Sequence, residues 1–571
     1  MSETLEDMIG PLPVADIGHN GGPPMAIVGG AFDGAHRFDA ETALWQPGLA
    51  SADFDVIPDK PYLDARVRDT IRNDGYVAAG QRIHQDNIVG SHFVLNAKPS
   101  LAVLGLEEAW ADEFQAEVEA KFQTWADSIE NWCDTTRTLN FTQMVRMGVG
   151  LLVSGGEILA SVEWEKDGRP CHTAIQLIDA DRLSNPFGTW NNPLLRMGVE
   201  KNDRGVATAY HIRKAHPADF NNFAKFNVFK WDRIPARKPW GRTNIIHIVE
   251  RNRVDQSRGV SMMVAALKEM RMTKKYRDVA LQSAVVNATY AATIESDLPS
   301  EVVMGQLGGG NVGEVAARNA ITQYSNGYLG AIGEYMKGSK NIAIDGVKIP
   351  HLFPGTTLKM QPAGGSDAMG GNFEAALLRY LAANLDVSYE QLSRDYGNVN
   401  YASFRAAANE IRKGMQARKK NGADRFASQI YRAWLEENIN SGEITSMSKK
   451  CPSIYDKKGN LGLMFDAYTE ASWIGGSQGQ IDELKETQAA IQRIIFGLST
   501  YEDEHARMGK DFRKVFAQIS RERKELETRG ILQNVTSDMA NATTGALGEQ
   551  DDGKTAPGLQ VKPAAGAKGT K

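Results

Sequence analysis

The residues of this chain that could perform chemistry do not stand at the spacings that chemistry requires. A nucleotide-binding loop of the GxxxxGK[ST] type needs a lysine and a hydroxyl to contact phosphate and magnesium, and the glycine-rich stretches 308–313 and 364–371 contain no such lysine. The sequence has no HExxH zinc motif. The nearest approach to a GxSxG nucleophile elbow, residues 259–263, ends in methionine, and Ser261 is typical of a helix N-cap. We therefore expect no catalytic residue, no metal site and no cofactor.

Cysteines and histidines support the same expectation. The three cysteines lie far apart and form no CxxC pair: Cys133, Cys171 and Cys451. This argues against a zinc site or a disulfide framework and predicts inert thiols in a reducing cytosol. The closest histidine pairs show no carboxylate in a metal-binding pattern: His84 with His92, and His211 with His216. We interpret these histidines as structural.

Two clusters of basic residues remain as candidates for binding. The first falls within ten residues: Lys268, Arg271, Lys274, Lys275 and Arg277. The second falls within twenty-one residues: Arg405, Arg412, Lys413, Arg418, Lys419, Lys420 and Arg425. The first cluster is either a solvated helix face, a set of salt bridges to a neighbouring subunit, or a contact to the DNA backbone. We favour the subunit contact over DNA.

The elements that position these residues follow from hydrophobic spacing. Residues 107–132 predict a helix whose apolar stripe is core: Trp110, Phe114, Val118, Phe122 and Trp125. From Glu157 the period changes, and a turn at Asp167-Gly168 predicts a β-hairpin. A helix of about 34 residues is expected over 261–294, with a stripe packed along another helix: Met272, Tyr276, Val279, Val286 and Tyr290. A final amphipathic segment is expected over 482–527.

Bulk composition limits the class of protein. The 571 residues allow two or more compact units, and 42% hydrophobic with 24% charged residues is ordinary for a globular protein. The N-terminus lacks a signal-peptide pattern, so export is not expected. Residues 144–162, the most apolar stretch, are interrupted by Arg146 and Glu157, so no membrane span is expected. Net charge is -5, which does not indicate a tight duplex-DNA binder.

Five unlike blocks follow one another in a fixed order. They are Ser184-Asn185-Pro186, residues 198–212 (GVEKNDRGVATAYHI), Pro239-Trp240-Gly241-Arg242, residues 280–296 (ALQSAVVNATYAATIES) and residues 389–405 (YEQLSRDYGNVNYASFR). This order resembles the lambda-type bacteriophage portal protein family. The resemblance covers about residues 61–530. One departure lies near Trp473, where relatives often carry an Asp-Pro pair and this chain has WIGGSQGQ.

The resemblance implies an α+β portal-type fold, with long helices, a β-rich wing and clip section and a helical C-terminal crown, assembled as a ring of about twelve copies. Such a ring stands at one capsid vertex of the virion, after assembly in the host cytoplasm, and double-stranded DNA passes through it without sequence specificity. The implied partners are further copies of the chain, the large terminase subunit, head-completion or connector proteins, scaffold and major capsid protein, with no membrane. A ring carrying about -60 charges would discourage DNA from adhering.

The resemblance also implies a division of the chain, to which composition adds a tail at each end. The expected parts are a flexible N-terminal arm (1–60), a wing of helices and a hairpin (61–183), a β-rich clip-like section (184–250), a long stem or channel helix (251–300), a wing and channel-lining region with glycine-rich loops (301–475), a helical crown-like region (476–534) and a disordered tail (535–571). Two alternatives stay open: a nucleic-acid-processing enzyme of the packaging machinery, and another shell or scaffold component of the particle.

Overall fold

The chain folds into a mixture of α-helices and small antiparallel sheets. A computed structural model describes these residues: 44, 48–189, 191–219, 228–289, 322–323, 326–327, 341–344, 347–350, 371–397, 400–448, 450–477 and 483–529. Its first seven α-helices are α1 (Ala52–Val56), α2 (Lys60–Asn73), α3 (Gly75–Ile88), α4 (Leu101–Leu104), α5 (Glu108–Ala126), α6 (Phe141–Gly155) and α7 (Leu267–Thr289). Those after α7 are α8 (Gly371–Asn384), α9 (Tyr389–Ser393), α10 (Tyr401–Arg418), α11 (Arg425–Asn440), α12 (Leu463–Tyr468), α13 (Glu483–Ile495), α14 (Tyr501–Arg507) and α15 (Phe512–Thr528). The mixture confirms the predicted α+β class.

The strands among the described residues form four antiparallel groups. They are β1 (Val94–Ala97), β2 (Glu157–Trp164), β3 (Thr173–Leu177), β4 (Leu195–Arg196), β5 (Val199–Lys201), β6 (Ala207–Arg213), β7 (Trp231–Pro235), β8 (Ile245–Val249), β9 (Asn341–Ile344), β10 (Val347–Pro350) and β11 (Ala471–Ile474). The sheet orders are β3-β2-β8, β4-β5-β6-β7, β1-β11 and β9-β10. Strands β2 and β3 form the hairpin predicted from the turn at Asp167-Gly168, with Val162 opposite Ile175.

Strand β8 connects two regions that the sequence divides. It lies in the 184–250 section, yet it pairs with β2, with Leu159 opposite His247. The β-rich section therefore shares a sheet with the preceding region, and the clip-like assignment of 184–250 stays a prediction.

Aromatic side chains fill the centre of the main core. Phe122 of α5 meets the rings of Phe141, Tyr431 and Trp434 edge-on, with centroids 5.2, 5.7 and 5.2 Å away. The predicted stripe of α5 is confirmed as core, since its residues from Phe114 to Trp125 are buried. The helix ends at Ala126 rather than near Trp132.

The predicted long helix over 261–294 is shorter in the structure. Ser261 caps a 3-10 turn, Met262–Ala266, by accepting from the backbone N–H of Met263, and α7 follows up to Thr289. Residue 290 and Val286's side chain lie outside the described residues.

The N-terminal arm is shorter than predicted. It was expected to reach residue 60, but helix α1 begins already at Ala52, because Ser51 caps that helix.

The single amphipathic segment expected over 482–527 is divided into α13, α14 and α15. Its breaks lie at Gly497 and Gly509, whose positive φ angles of 68° and 72° end a right-handed helix at low cost.

Candidate functional site

The first basic cluster lies on the outer side of α7, and we call it the α7 cluster. Lys268, Arg271 and Lys275 are exposed, while Lys274 and Arg277 are half-buried. The residues of α7 that face the core are Met270 and Thr273, both fully buried. Thr273 tolerates this position because its hydroxyl donates to a backbone carbonyl one turn earlier, at 2.8 Å.

The predicted apolar stripe of α7 is therefore only partly packed. Met272 and Val279 expose 59% and 49% of their surface, whereas the ring of Tyr276 meets Phe373 of α8 at 5.2 Å. Met272 and Val279 are not packed within their own chain, because the neighbouring helices approach from the side of Met270.

Arg277 differs from the rest of the cluster. Its Nη2 donates to Asp74 Oδ2 at 2.5 Å, and its guanidinium lies 4.8 Å above the ring of Tyr76. Asp74 also caps α3 by accepting from the backbone N–H of Tyr76. Arg277 thus joins α7 to the start of α3 within one chain, and it is less available than its neighbours for an external partner.

The other four members line a groove of about 1080 Å³ between α2 and α7. The wall from α2 contributes Arg66, Asp69 and Asn73, and Asp278 closes the α7 side. Within the described part of the chain, no carboxylate lies within ion-pair distance of these four basic residues: Lys268, Arg271, Lys274 and Lys275. Their charge is therefore available to a partner outside the described residues.

A buried ionic cluster anchors the base of α7. Glu157, at the start of β2, accepts from Arg258 Nη2 at 2.7 Å, from His247 Nε2 at 3.1 Å and from the backbone N–H of Gly259 at 3.1 Å. Lys60 Nζ lies 3.2 Å from the same carboxylate. Burial alone would raise the pKa of Glu157, but Arg258 and Lys60 hold it well below its usual range. The carboxylate is therefore ionised and fully paired.

Arg258 extends this cluster to the loops of the sheets. Its remaining N–H groups donate to the carbonyls of Leu183, Met197 and Ala180 at 2.8 to 2.9 Å. Arg258 and Glu157 were not predicted as a site from the sequence, since a lone arginine and a lone glutamate form no motif. The one available signal was a glutamate directly before the apolar residues 158–160.

Helix α1 holds the loop that leads into α7. Asp53 accepts from Ser257 through its backbone N–H at 2.7 Å and its hydroxyl at 2.5 Å. Arg253 of the same loop donates to Asp55 at 2.6 Å. A segment expected to be a flexible arm thus fixes the start of α7.

The first two sequence blocks meet in space. Gly198 donates its backbone N–H to Asn185 Oδ1 at 2.6 Å. Its φ is +87°, and a Cβ at this position would lie 2.6 Å from the backbone nitrogen of Ser184. The glycine is required there both by its conformation and by the close approach of the chain.

The third block joins the β-rich section to α11. Arg242 Nη1 donates to Glu436 at 2.9 Å, and its Nη2 donates to Thr173 at 2.7 Å. Trp240 Nε1 donates to the same glutamate at 2.9 Å. The polar and glycine residues of these three blocks therefore hold parts of the same chain together.

Comparisons with known proteins test the family resemblance. A model of the family "Phage portal protein, lambda family" matches residues 38–419. Portal protein B of Escherichia phage lambda is 36% identical over 516 residues, which cover 90% of this chain and 93% of that protein. The chain belongs to the lambda family of phage portal proteins. The portal protein of Escherichia phage N15 is 34% identical over 90% of this chain and 94% of its own length. The chain is accordingly a structural portal protein.

Solved structures give only a distant likeness to this portal protein. A chain of the virion of a native gene transfer agent particle covers 79% of it, and 93% of that chain is covered. Its sequence identity is 12% and the TM-score is 0.33, too low to support an argument.

The second basic cluster of this portal protein is partly internal. Arg418 lies 3.3 Å from both Glu250 and Asp386. Lys419 donates to Asp424 at 2.7 Å, inside a π-helical turn between α10 and α11. Other members, such as Lys420, are exposed. The cluster is thus a mixture of structural and free charges.

Tertiary structure supplies carboxylates to two histidines for which the sequence showed none. Glu200 lies 3.0 Å from His211, and Asp181 lies 3.1 Å from His216. With Asp179, the Asp181 and His216 side chains form a group within 4.8 Å that could hold a metal ion.

The geometry of this group favours hydrogen bonding over metal binding. The backbone N–H of Ala218 donates to His216 Nδ1 at 3.1 Å, so the ring proton stands on Nε2, which faces Asp181. Arg68 already donates to Asp181 at 2.6 Å. A nitrogen that carries a proton cannot coordinate a metal.

Among the described residues, no helix is long and apolar enough to cross a membrane.

Proposed function

We propose that copies of this chain form a closed ring of about twelve subunits at one vertex of a capsid, and that double-stranded DNA is packaged and ejected through it. The observation that carries this proposal is the family match over residues 38–419, joined by a relative 36% identical across almost the whole of both chains. The ring would assemble in the host cytoplasm and remain in the virion.

Apolar surface on the single chain supports assembly. Met272 and Val279 of α7 are exposed although their spacing is that of a packed helix, and a neighbouring copy would cover them. Mass photometry of the purified chain at micromolar concentration should show a species of about twelve times 62.6 kDa. Monomers and dimers alone, across salt and pH, would contradict the ring.

The charge of the chain supports weak contact with the DNA that passes. Duplex affinity comes mainly from phosphate neutralisation by Lys and Arg, and the chain has a net charge of -5. We expect weak duplex binding without sequence preference, with an affinity that falls steeply as salt is added. Fluorescence anisotropy with two unrelated duplexes tests this. A nanomolar, sequence-selective complex at physiological salt would be incompatible with a conduit.

The groove between α2 and α7 is proposed as a contact to the adjacent subunit. Its four basic residues from α7 form no ion pair with the described residues of their own chain, although Asp69 and Asp278 line the same groove. The test is Lys268→Glu with Lys275→Glu, both exposed, because Arg277 is held by Asp74 and its substitution would disturb the chain itself. Loss of rings supports the subunit contact.

Other outcomes of that test assign the groove differently. Intact rings with defective DNA packaging would assign the basic residues to DNA, because phosphate contacts are lost without disturbing assembly. Intact rings with normal packaging would leave a solvated face. Lys457→Glu, an exposed reversal in a distant loop, is the matched control.

The remaining partners follow from the same role. A ring at a capsid vertex would receive the large terminase subunit, which supplies ATP-driven motion, and later the head-completion proteins, and it would assemble with scaffold and major capsid protein. Co-sedimentation of the ring with purified terminase tests the first contact. ATP turnover by the isolated chain would instead favour an enzyme of the packaging machinery, and sheets or spheres in electron micrographs would favour a shell component.

A further inference from the structure

Helices α13 and α15 carry apolar stripes that the described chain covers only in part. Every residue of both helices is exposed or only half-buried. In α13, Leu484, Ile491 and Ile495 follow at steps of seven and four residues, and the exposed Leu498 lies beyond the end of the helix, after Gly497. This is the spacing of a helix that packs along another helix.

Helix α15 presents a second stripe of the same kind. Phe512, Phe516, Ile519 and Leu526 follow at steps of four, three and seven residues. Within the described chain, the ring of Phe516 contacts the rings of Tyr501, His505 and Phe512, with centroids 5.5 to 5.8 Å away. A helix of this length is marginal in water unless an apolar face is buried, so both stripes require a partner.

We propose that the stripe of α13 in one copy packs against the stripe of α15 in the next copy. The proposal rests on the ring of the proposed function. A ring is built from heterologous contacts, in which two different patches of each chain meet. Helices α13 and α15 are separated only by the short α14, so rotation about a ring axis can bring one opposite the other at a similar height.

The area of the two patches matches such a contact. The exposed apolar side chains are Leu484, Ile491, Ile495, Phe496, Leu498, Tyr501, Met508, Phe516 and Ile519. Together they expose roughly 850 Å² if a fully exposed side chain of this size offers about 170 Å². Since about 57–65% of an interface is apolar, this corresponds to a total of roughly 1,400 Å², a standard interface.

The apolar ends select an antiparallel arrangement of the two helices. Helix α13 begins with Glu483 and Glu486 and ends in its most apolar turn. Helix α15 begins with its aromatic residues, and its second half exposes three cations and three carboxylates, so its charges balance: Arg521, Arg523, Lys524, Glu522, Glu525 and Glu527. Antiparallel packing places the two apolar ends against each other and the two polar ends together.

Cysteine cross-linking of the full-length chain tests the contact. In a Cys451→Ser background, the double variant Ile491→Cys with Ile519→Cys should give a ladder of cross-linked copies with a short bis-maleimide, while each single variant gives no cross-link. A dimer from Ile491→Cys alone would show a two-fold α13 contact and overturn the proposal. Gln492→Cys with Ile519→Cys is the matched control, since Gln492 is exposed beside the stripe.

Charge substitution separates this surface from the ring itself. Ile491→Glu should lower the ring fraction at micromolar concentration at least tenfold, and Gln492→Glu should leave it unchanged, with thermal melting of the monomer equal in both. Intact rings in Ile491→Glu would overturn the surface while the proposed function stands. Loss of rings in both variants would also overturn it, because the effect would not be specific to the stripe. Absence of rings in the unmodified chain would refute both proposals.

Discussion

A carboxyl group in α5 makes the stability of the core sensitive to pH near neutrality. Glu119 accepts from the backbone N–H of Ala97 in β1 at 2.8 Å, and it faces Asp511, Arg513 and Lys514 from the start of α15. Burial raises the pKa of Glu119 to about 7 from the ordinary 4.5, and the hydrogen bond only partly offsets this. The folded chain therefore binds a proton that the unfolded chain releases.

The sign of the effect follows from linkage. Between pH 4.5 and 7 the folded state holds more protons than the unfolded state at this group, so the free energy of unfolding falls as pH rises. The contribution is largest below pH 4.5 and is lost as pH rises through 7. With these two pKa values and 1.36 kcal/mol per pH unit, the loss between pH 5 and pH 8 is about 2.5 kcal/mol.

Glu119→Gln removes this titration and keeps an acceptor for Ala97. At pH 8 we expect the variant to be more stable than the natural chain by about 3 kcal/mol, and at pH 5 by less than about 1 kcal/mol. Urea unfolding followed by tryptophan fluorescence at both pH values is suitable, because Trp434 and Trp473 lie in the adjoining aromatic cluster. Glu113→Gln, at an exposed position of the same helix, is the control.

One result would refute the reasoning. If the stability of Glu119→Gln relative to the natural chain were the same at pH 5 and pH 8, the carboxyl would not titrate between those values. A difference of equal size in Glu113→Gln would assign the effect to surface charge.

Three further predictions concern the base of α7. Glu157→Gln should destabilise the chain by about 3–5 kcal/mol in urea unfolding, because Arg258 stays buried without a counter-ion; a loss below about 1 kcal/mol would contradict this. Gly156→Ala should yield little folded protein in a solubility and circular dichroism assay, because φ is +73° and a Cβ would lie 2.3 Å from the backbone of the next loop; normal yield would refute the constraint. As a monomer, Lys268→Glu with Lys275→Glu should melt within about 2 °C of the natural monomer, since exposed charges contribute little to stability; a larger fall would show that the cluster is structural.

Several features of this protein were determined by its sequence alone. The stripe of α5 was identified as core from its 3.6-residue period. Large apolar residues that recur every three or four positions lie on one face of a helix, and burying that face removes it from water. The β2–β3 hairpin followed from the Asp-Gly turn between extended runs. The order of the five blocks indicated the portal family, because several unlike blocks at long spacing rarely coincide.

Tertiary structure alone decided the rest. Glu157, Lys60, His247 and Arg258 lie in different parts of the chain, and only folding places them around one buried carboxylate. The same holds for the face of α7: its sequence offers two stripes, and the approach of α2 and α8 buries Met270 rather than Met272. Periodicity can show that a helix has an apolar face, but which face is covered, and by what, depends on neighbours distant in sequence or in another copy of the chain.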